Sequence, residues 1–133
     1  MTTNYLQMMI DSLKKKKDIL TRIIALNEEQ DKILSKPELD DNAFDANMKA
    51  KGDCIDGLDR LDEGFQSLFN RVRDAINANK EMYANEISIM KRLITEVTEL
   101  GAKIEVQEAR NKVKVEAMFR RERQEHKEAK RSA

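Results

Sequence analysis

Almost nothing in this chain interrupts a helix, and that narrows its possible folds more than any single motif does. Pro37 is the only proline, and there are four glycines in 133 residues. Around these few breaks apolar side chains return every third or fourth position, which puts them on one face of an α-helix. In the first stretch Leu6, Leu13, Leu20 and Leu34 lie at multiples of seven, and Met9, Ile10, Ile19, Ile23, Ile24, Leu26 and Ile33 widen the stripe. Asp11, Lys14, Asp18, Arg22 and Asp31 occupy the polar face. Asn27 fills the vacant place in the leucine series. We read it as a half-exposed seam position; the alternative is a buried amide that fixes register.

The breaks divide the chain into three segments of one domain, residues 1–133. Helix 1 is expected over about 3–34. Ser35-Lys36-Pro37 ends it, because proline cannot continue a helix and drives the residue before it toward an extended conformation. Helix 2 is expected over about 43–78, with Asp41 or Asn42 as its cap. Its stripe runs Phe44, Met48, Lys51, Ile55, Leu58, Leu61, Phe65, Leu68, Phe69, Val72 and Ile76. Gly52, Gly57 and Gly64 each weaken this helix by roughly 1 kcal/mol relative to alanine, and we read them as points where a neighbouring helix packs closely. Asn77, Asn79 and Lys80 mark a second turn. Helix 3 is expected over about 81–119, with Tyr83, Ile87, Met90, Ile94, Val97, Leu100 and Ile104 on one face. Residues 120–133 are polar throughout and are read as a frayed, charged tail. The fold class is therefore all-α: three long amphipathic helices, successive ones antiparallel, in a coiled-coil-like bundle with the third the longest.

Composition supports this outline and excludes several kinds of function. Charged residues make up 38% of the chain and aromatics 5%, the profile of long helices rather than a thick globular core. The net charge is zero, so the whole molecule is not steered toward nucleic acid or acidic lipid. The charges are nevertheless segregated: residues 36–65 hold nine acidic and four basic side chains, and residues 109–133 hold nine basic and four acidic. Cys54 is the only cysteine, so there is no internal disulfide and no multi-cysteine metal site. The opening MTTNYLQMMIDSLKKKK lacks the order of a signal peptide, and no stretch is apolar enough to span a bilayer. A cytoplasmic location without membrane insertion is expected.

The residues that would make an enzyme are missing. His126, the only histidine, lies in the charged tail. A di-iron bundle requires paired Glu-x-x-His motifs, and Glu122 with His126 has the wrong spacing. Neither a phosphate-binding P-loop nor a dinucleotide-binding glycine motif occurs. Cys54 stands next to Asp53 and Asp56 rather than next to the cations that activate a thiol. Asp53, Asp56, Asp59, Asp62 and Glu63 do not follow a calcium-loop pattern and read as a solvated face. Arg110, Lys112, Lys114, Arg120, Arg121 and Arg123 are interleaved with glutamates and lack the aromatic platforms of single-strand binders, which argues against nucleic acid. We expect no catalytic residues, no metal and no cofactor.

What remains is protein binding. The helix-3 stripe thins after Ile104, and Val115, Met118 and Phe119 then restore an apolar patch. A helix that outlasts its bundle presents such a strip to a partner, and methionine suits an adaptable groove. Three segments, YLQMMIDSLKKKKDILTRIIALNEEQDKIL, FDANMKAKGDCIDGLDRLDEGFQSLFNRV and EARNKVKVEAMF, make the chain similar to the FlgN family of flagellar type III export chaperones; FliT-type chaperones share its size and composition. This resemblance implies a protein that binds the C-terminal helices of hook–filament junction proteins, keeps them soluble and export-competent, and delivers them to the export apparatus. It places client binding on helix 3, at Leu100, Ile104, Gln107, Asn111, Val115, Met118 and Phe119. A self-assembling coiled-coil scaffold is the alternative, with oligomeric state open.

Overall fold

In the computed structural model, which describes residues 1–132, the chain forms α1 (Thr2–Leu34), α2 (Asp41–Ala78) and α3 (Ala84–Ser132). These run for 33, 38 and 49 residues, so the third helix is the longest. Asp40 caps α2, its carboxylate accepting from the Ala43 N–H at 3.1 Å, one position before Asp41 and two before Asn42, the expected caps. The tail expected to fray continues α3 through Ser132, while Ala133 lies outside the described residues. Glu122, Glu125 and Glu128 interleave with the basic residues there. Gln124 also donates to Glu128 one turn on, at 3.3 Å, and such (i, i+4) pairs favour helix.

Cross-helix contacts give the directions. Lys17 meets Glu96, Asn27 meets Gln107 and Asn111 reaches Gln30, so α1 and α3 run parallel. Ser12 donates to the Leu61 carbonyl and Asn47 to the Leu26 carbonyl, so α1 and α2 run antiparallel. Both outer helices pack along α1. They do not pack on each other: away from the turn that joins them, no Cα of α2 comes within 8 Å of one in α3. The expectation that successive seams all face one another therefore holds for α1 and α2 only, and α1 is the shared partner of both.

The bundle has two halves of different chemistry. Toward the α2–α3 turn, Leu6, Met9, Ile10 and Leu13 of α1 close with Val72, Met90 and Leu93 into an apolar core. Toward the other end five amides are buried alongside Leu20, Ile23, Leu26, Ile33, Leu34 and Met118. Asn27, read from sequence as half-exposed, is fully buried, as are Gln30, Asn47, Gln107 and Asn111. Of the three α2 glycines, only Gly57 lies against a neighbour: a Cβ there would meet Ile19 Cδ1 at 3.3 Å. Gly52 and Gly64 have nothing within 4 Å of that position, so the expectation of close helix packing fails at both.

Candidate helix-binding cleft

Because α2 and α3 each grip α1 but not one another, a cleft runs between them. Its apolar end has a volume of about 680 Å³. Met9 forms the floor, Phe65, Phe69 and Ile76 the α2 wall, and Ile87, Met90 and Ile94 the α3 wall, with Lys80 and Lys91 at the rim. The walls follow from helical spacing. Ile55, Phe69 and Ile76 recur at multiples of seven on α2, and Ile87 and Ile94 do so on α3, one position away from each helix's main seam. Between them the same series places Asp62 on α2 and Gly101 on α3. Neither supplies apolar surface to draw the walls together. Phe69 is 38% exposed, Ile94 46% and Ile55 49%.

Two polar contacts hold the remainder of the cleft, the first fixing α2 to α1 and the second crossing from α2 to α3. Lys16 reaches Asp62 at 2.7 Å, and Lys51, itself buried, reaches Glu108 at 2.8 Å. The Lys51–Glu108 pair spans the gap, so the cleft is bridged rather than closed.

The strip expected to bind a client stands differently from the sequence expectation. It does not outlast the bundle. Gln107, Asn111 and Met118 are buried, and Leu100, Ile104 and Val115 are half-buried; Phe119 alone is exposed. Its polar members face α1. Gln107 Nε2 donates to the Ile24 carbonyl at 3.2 Å and to Glu28 at 2.8 Å, while its Oε1 accepts from Asn27. Asn111 Nδ2 donates to the Asn27 carbonyl at 3.0 Å and to Gln30 Oε1 at 3.1 Å. Gln30 passes the chain on to Asn47 Oδ1 at 3.1 Å, and Asn47 donates to the Leu26 carbonyl at 2.8 Å. The amides thus tie all three helices together.

Ion pairs flank this ladder. Asp31 accepts from Lys114, a hydrogen bond that holds its carboxyl below the usual range against the opposing effect of burial, with Arg110 adding to the lowering. Glu96 is lowered in the same way by Lys17, at 2.9 Å. The remaining candidates from the sequence sit apart from the cleft's apolar end. Cys54 is a half-buried free thiol, His126 is exposed, and the carboxylates from Asp53 to Glu63 are solvent-facing. Among the described residues no three His, Cys, Asp or Glu side chains gather as metal ligands, and no helix is long and apolar enough to cross a membrane.

Sequence reasoning placed Phe69, Ile76, Ile87 and Ile94 in apolar stripes but treated them as core. The signal that separates them is their offset by one position from the main seam, together with Asp62 and Gly101 in the same series. Compared with protein-family models, curated proteins and solved structures, the chain matches none of them.

Proposed function

We propose that this chain is a binding protein that holds a helix of another protein in the α2–α3 cleft, acting as a chaperone of the export type. The observation behind this reading is the cleft itself: two long helices fastened to a third, unpacked against each other, with Phe69 and Ile94 open to solvent. The arrangement is a four-helix bundle lacking one helix. An incoming amphipathic helix covers its own apolar face while covering the cleft, and each Å² of apolar surface removed from water contributes about 25 cal/mol. Met9 and Met90 in the lining adapt to different side chains.

The resemblance to FlgN-type chaperones supplies the client: the C-terminal helical region of a hook–filament junction protein, held in the cytoplasm before export. The site proposed here differs from the strip that the resemblance suggests, because α1 already occupies most of that strip. The test is complex formation between the full chain and such a client region, measured by size-exclusion chromatography with light scattering. Phe69→Asp with Ile94→Asp is expected to abolish the complex, and Val115→Asp is expected to preserve it. The reverse pattern places binding on the α3 strip, and no complex with any variant ends the chaperone reading.

One observation favours a second reading, self-association as a scaffold. On the outer side of α3, Val106 and Val113 are 72% and 63% exposed, with Ala102 and Ala109 at coiled-coil spacing between and before them. A monomer by light scattering at high micromolar concentration removes that reading.

A further inference from the structure

The apolar end of the cleft carries a charge pattern that specifies its occupant further, given the helix-binding reading above. Its lining contains two cations, Lys80 and Lys91, and no carboxylate. Elsewhere around the cleft, lysines are matched: Lys16 with Asp62, Lys51 with Glu108, Lys17 with Glu96. Lys80 and Lys91 form no ion pair among the described residues. The acidic stretch of α2, Asp53 to Glu63, lies further along that helix, and Asp62 within it is engaged by Lys16.

We propose that this end of the cleft takes a three-turn amphipathic helix of a partner protein whose apolar face is flanked by carboxylates, which pair with Lys80 and Lys91. The length follows from the walls. From Ala84 to Ile94 the α3 wall runs about 15 Å at 1.5 Å per residue, close to three helical turns. Beyond it the same series has Gly101 in place of an apolar wall residue. The chemistry follows from desolvation. A docking helix strips water from both ammonium groups, and a cationic flank would leave them facing like charge, whereas an acidic flank replaces the lost hydration with charge-assisted hydrogen bonds. A helix is the fitting shape because the walls repeat at heptad spacing along two antiparallel helices, open along their length.

The experiment uses the full chain and two labelled helical peptides of fourteen residues with identical apolar faces, one flanked by glutamates and one by lysines. Fluorescence anisotropy is read at low and high salt, with light scattering on the same samples. The glutamate peptide is expected to bind tighter by roughly three- to tenfold, two exposed ion pairs' worth, and to lose that advantage in high salt. Lys80→Glu with Lys91→Glu reverses the preference. Phe69→Asp removes binding of both peptides while the helical circular dichroism is kept. If both peptides bind equally and the charge reversal changes nothing, the carboxylate requirement is overturned while helix binding stands. If neither peptide binds and the chain instead dimerises in a manner that Phe69→Asp abolishes, a second copy is the occupant and the proposal fails. Peptide binding that survives Phe69→Asp locates the site outside the cleft and refutes both readings.

Discussion

Replacing Asn111 by alanine tests whether the buried amides hold the bundle together. Asn111 is 1% exposed, and its Nδ2 is the only donor to Gln30 Oε1, at 3.1 Å. Alanine removes that donor. Gln30 cannot recover by flipping its amide, because its Nε2 is already given to Asn47 Oδ1 and Met48 Sδ. The Asn27 carbonyl keeps its own place in the α1 ladder, and Arg110, which is partly exposed, can turn its Nε to water. The net damage is one orphaned buried acceptor and a small void. An orphaned acceptor costs about 1–3 kcal/mol, so a loss of about 2 kcal/mol is expected. With a urea dependence of about 1–3 kcal/mol per M, the unfolding midpoint read by circular dichroism at 222 nm falls by roughly 1 M. Val113→Ala, at a site 63% exposed on the same helix, is the control and is expected to change stability by less than about 0.5 kcal/mol. Gln30→Ala combined with Asn111→Ala is expected to cost less than the two single changes added, with a coupling above about 0.5 kcal/mol. If Asn111→Ala moves the midpoint no more than Val113→Ala does, or the two amide changes simply add, the ladder is not a connected unit and the reasoning fails.

Three further outcomes are expected. Leu6→Ala, at a fully buried core position, should destabilise by about 2–5 kcal/mol in the same urea titration. Gly52→Ala and Gly64→Ala should each stabilise by up to about 1 kcal/mol, since both sites are helical with open space at the Cβ; Gly57→Ala should gain less, because Ile19 must shift. Asp31 and Glu96 are held below their ordinary values of 3.8 and 4.5, so each binds protons more weakly folded than unfolded. Their contribution is present above those values and is lost as pH falls through the lowered ones; thermal melts from pH 6 down to pH 2 should show the loss at the acid end, and Asp31→Asn should reduce it.

The helices were legible because their signals are local. Three-and-four spacing, one proline and a run of good helix formers locate α1 to within a residue and α2 to within two. The tail was misjudged because polarity throughout was weighed above the (i, i+4) pairs that support a helix there. The cleft was far less legible, since whether Phe69 and Ile94 are core or wall depends on how far apart α2 and α3 stand, and no pattern within one segment reports a distance between two. The amides were misjudged for a related reason. Asn27, Gln107 and Asn111 each look like a weak seam position taken alone, and only the parallel register of α1 and α3 brings them within bonding distance. Reading them as a thinning stripe led to the expectation of an exposed strip on α3, where the structure instead has α1.

That register also explains why an open cleft and a buried amide ladder occur in one small bundle. An apolar seam tolerates sliding, because one leucine contact resembles the next a turn away. An amide ladder does not, because a slip of one turn would leave several buried donors and acceptors unpaired at about 1–3 kcal/mol each. Here the ladder fixes α3 against α1 through Gln107 and Asn111, and α2 against α1 through Asn47. With both walls fixed to the same floor and joined to each other through the Lys51–Glu108 pair, the spacing between them is set at the polar end. The cleft can then remain open at its apolar end, where closing it would cover Phe69 and Ile94. Polar pairing at one end of the bundle thus holds apolar surface apart at the other, which is what a site for a visiting helix requires.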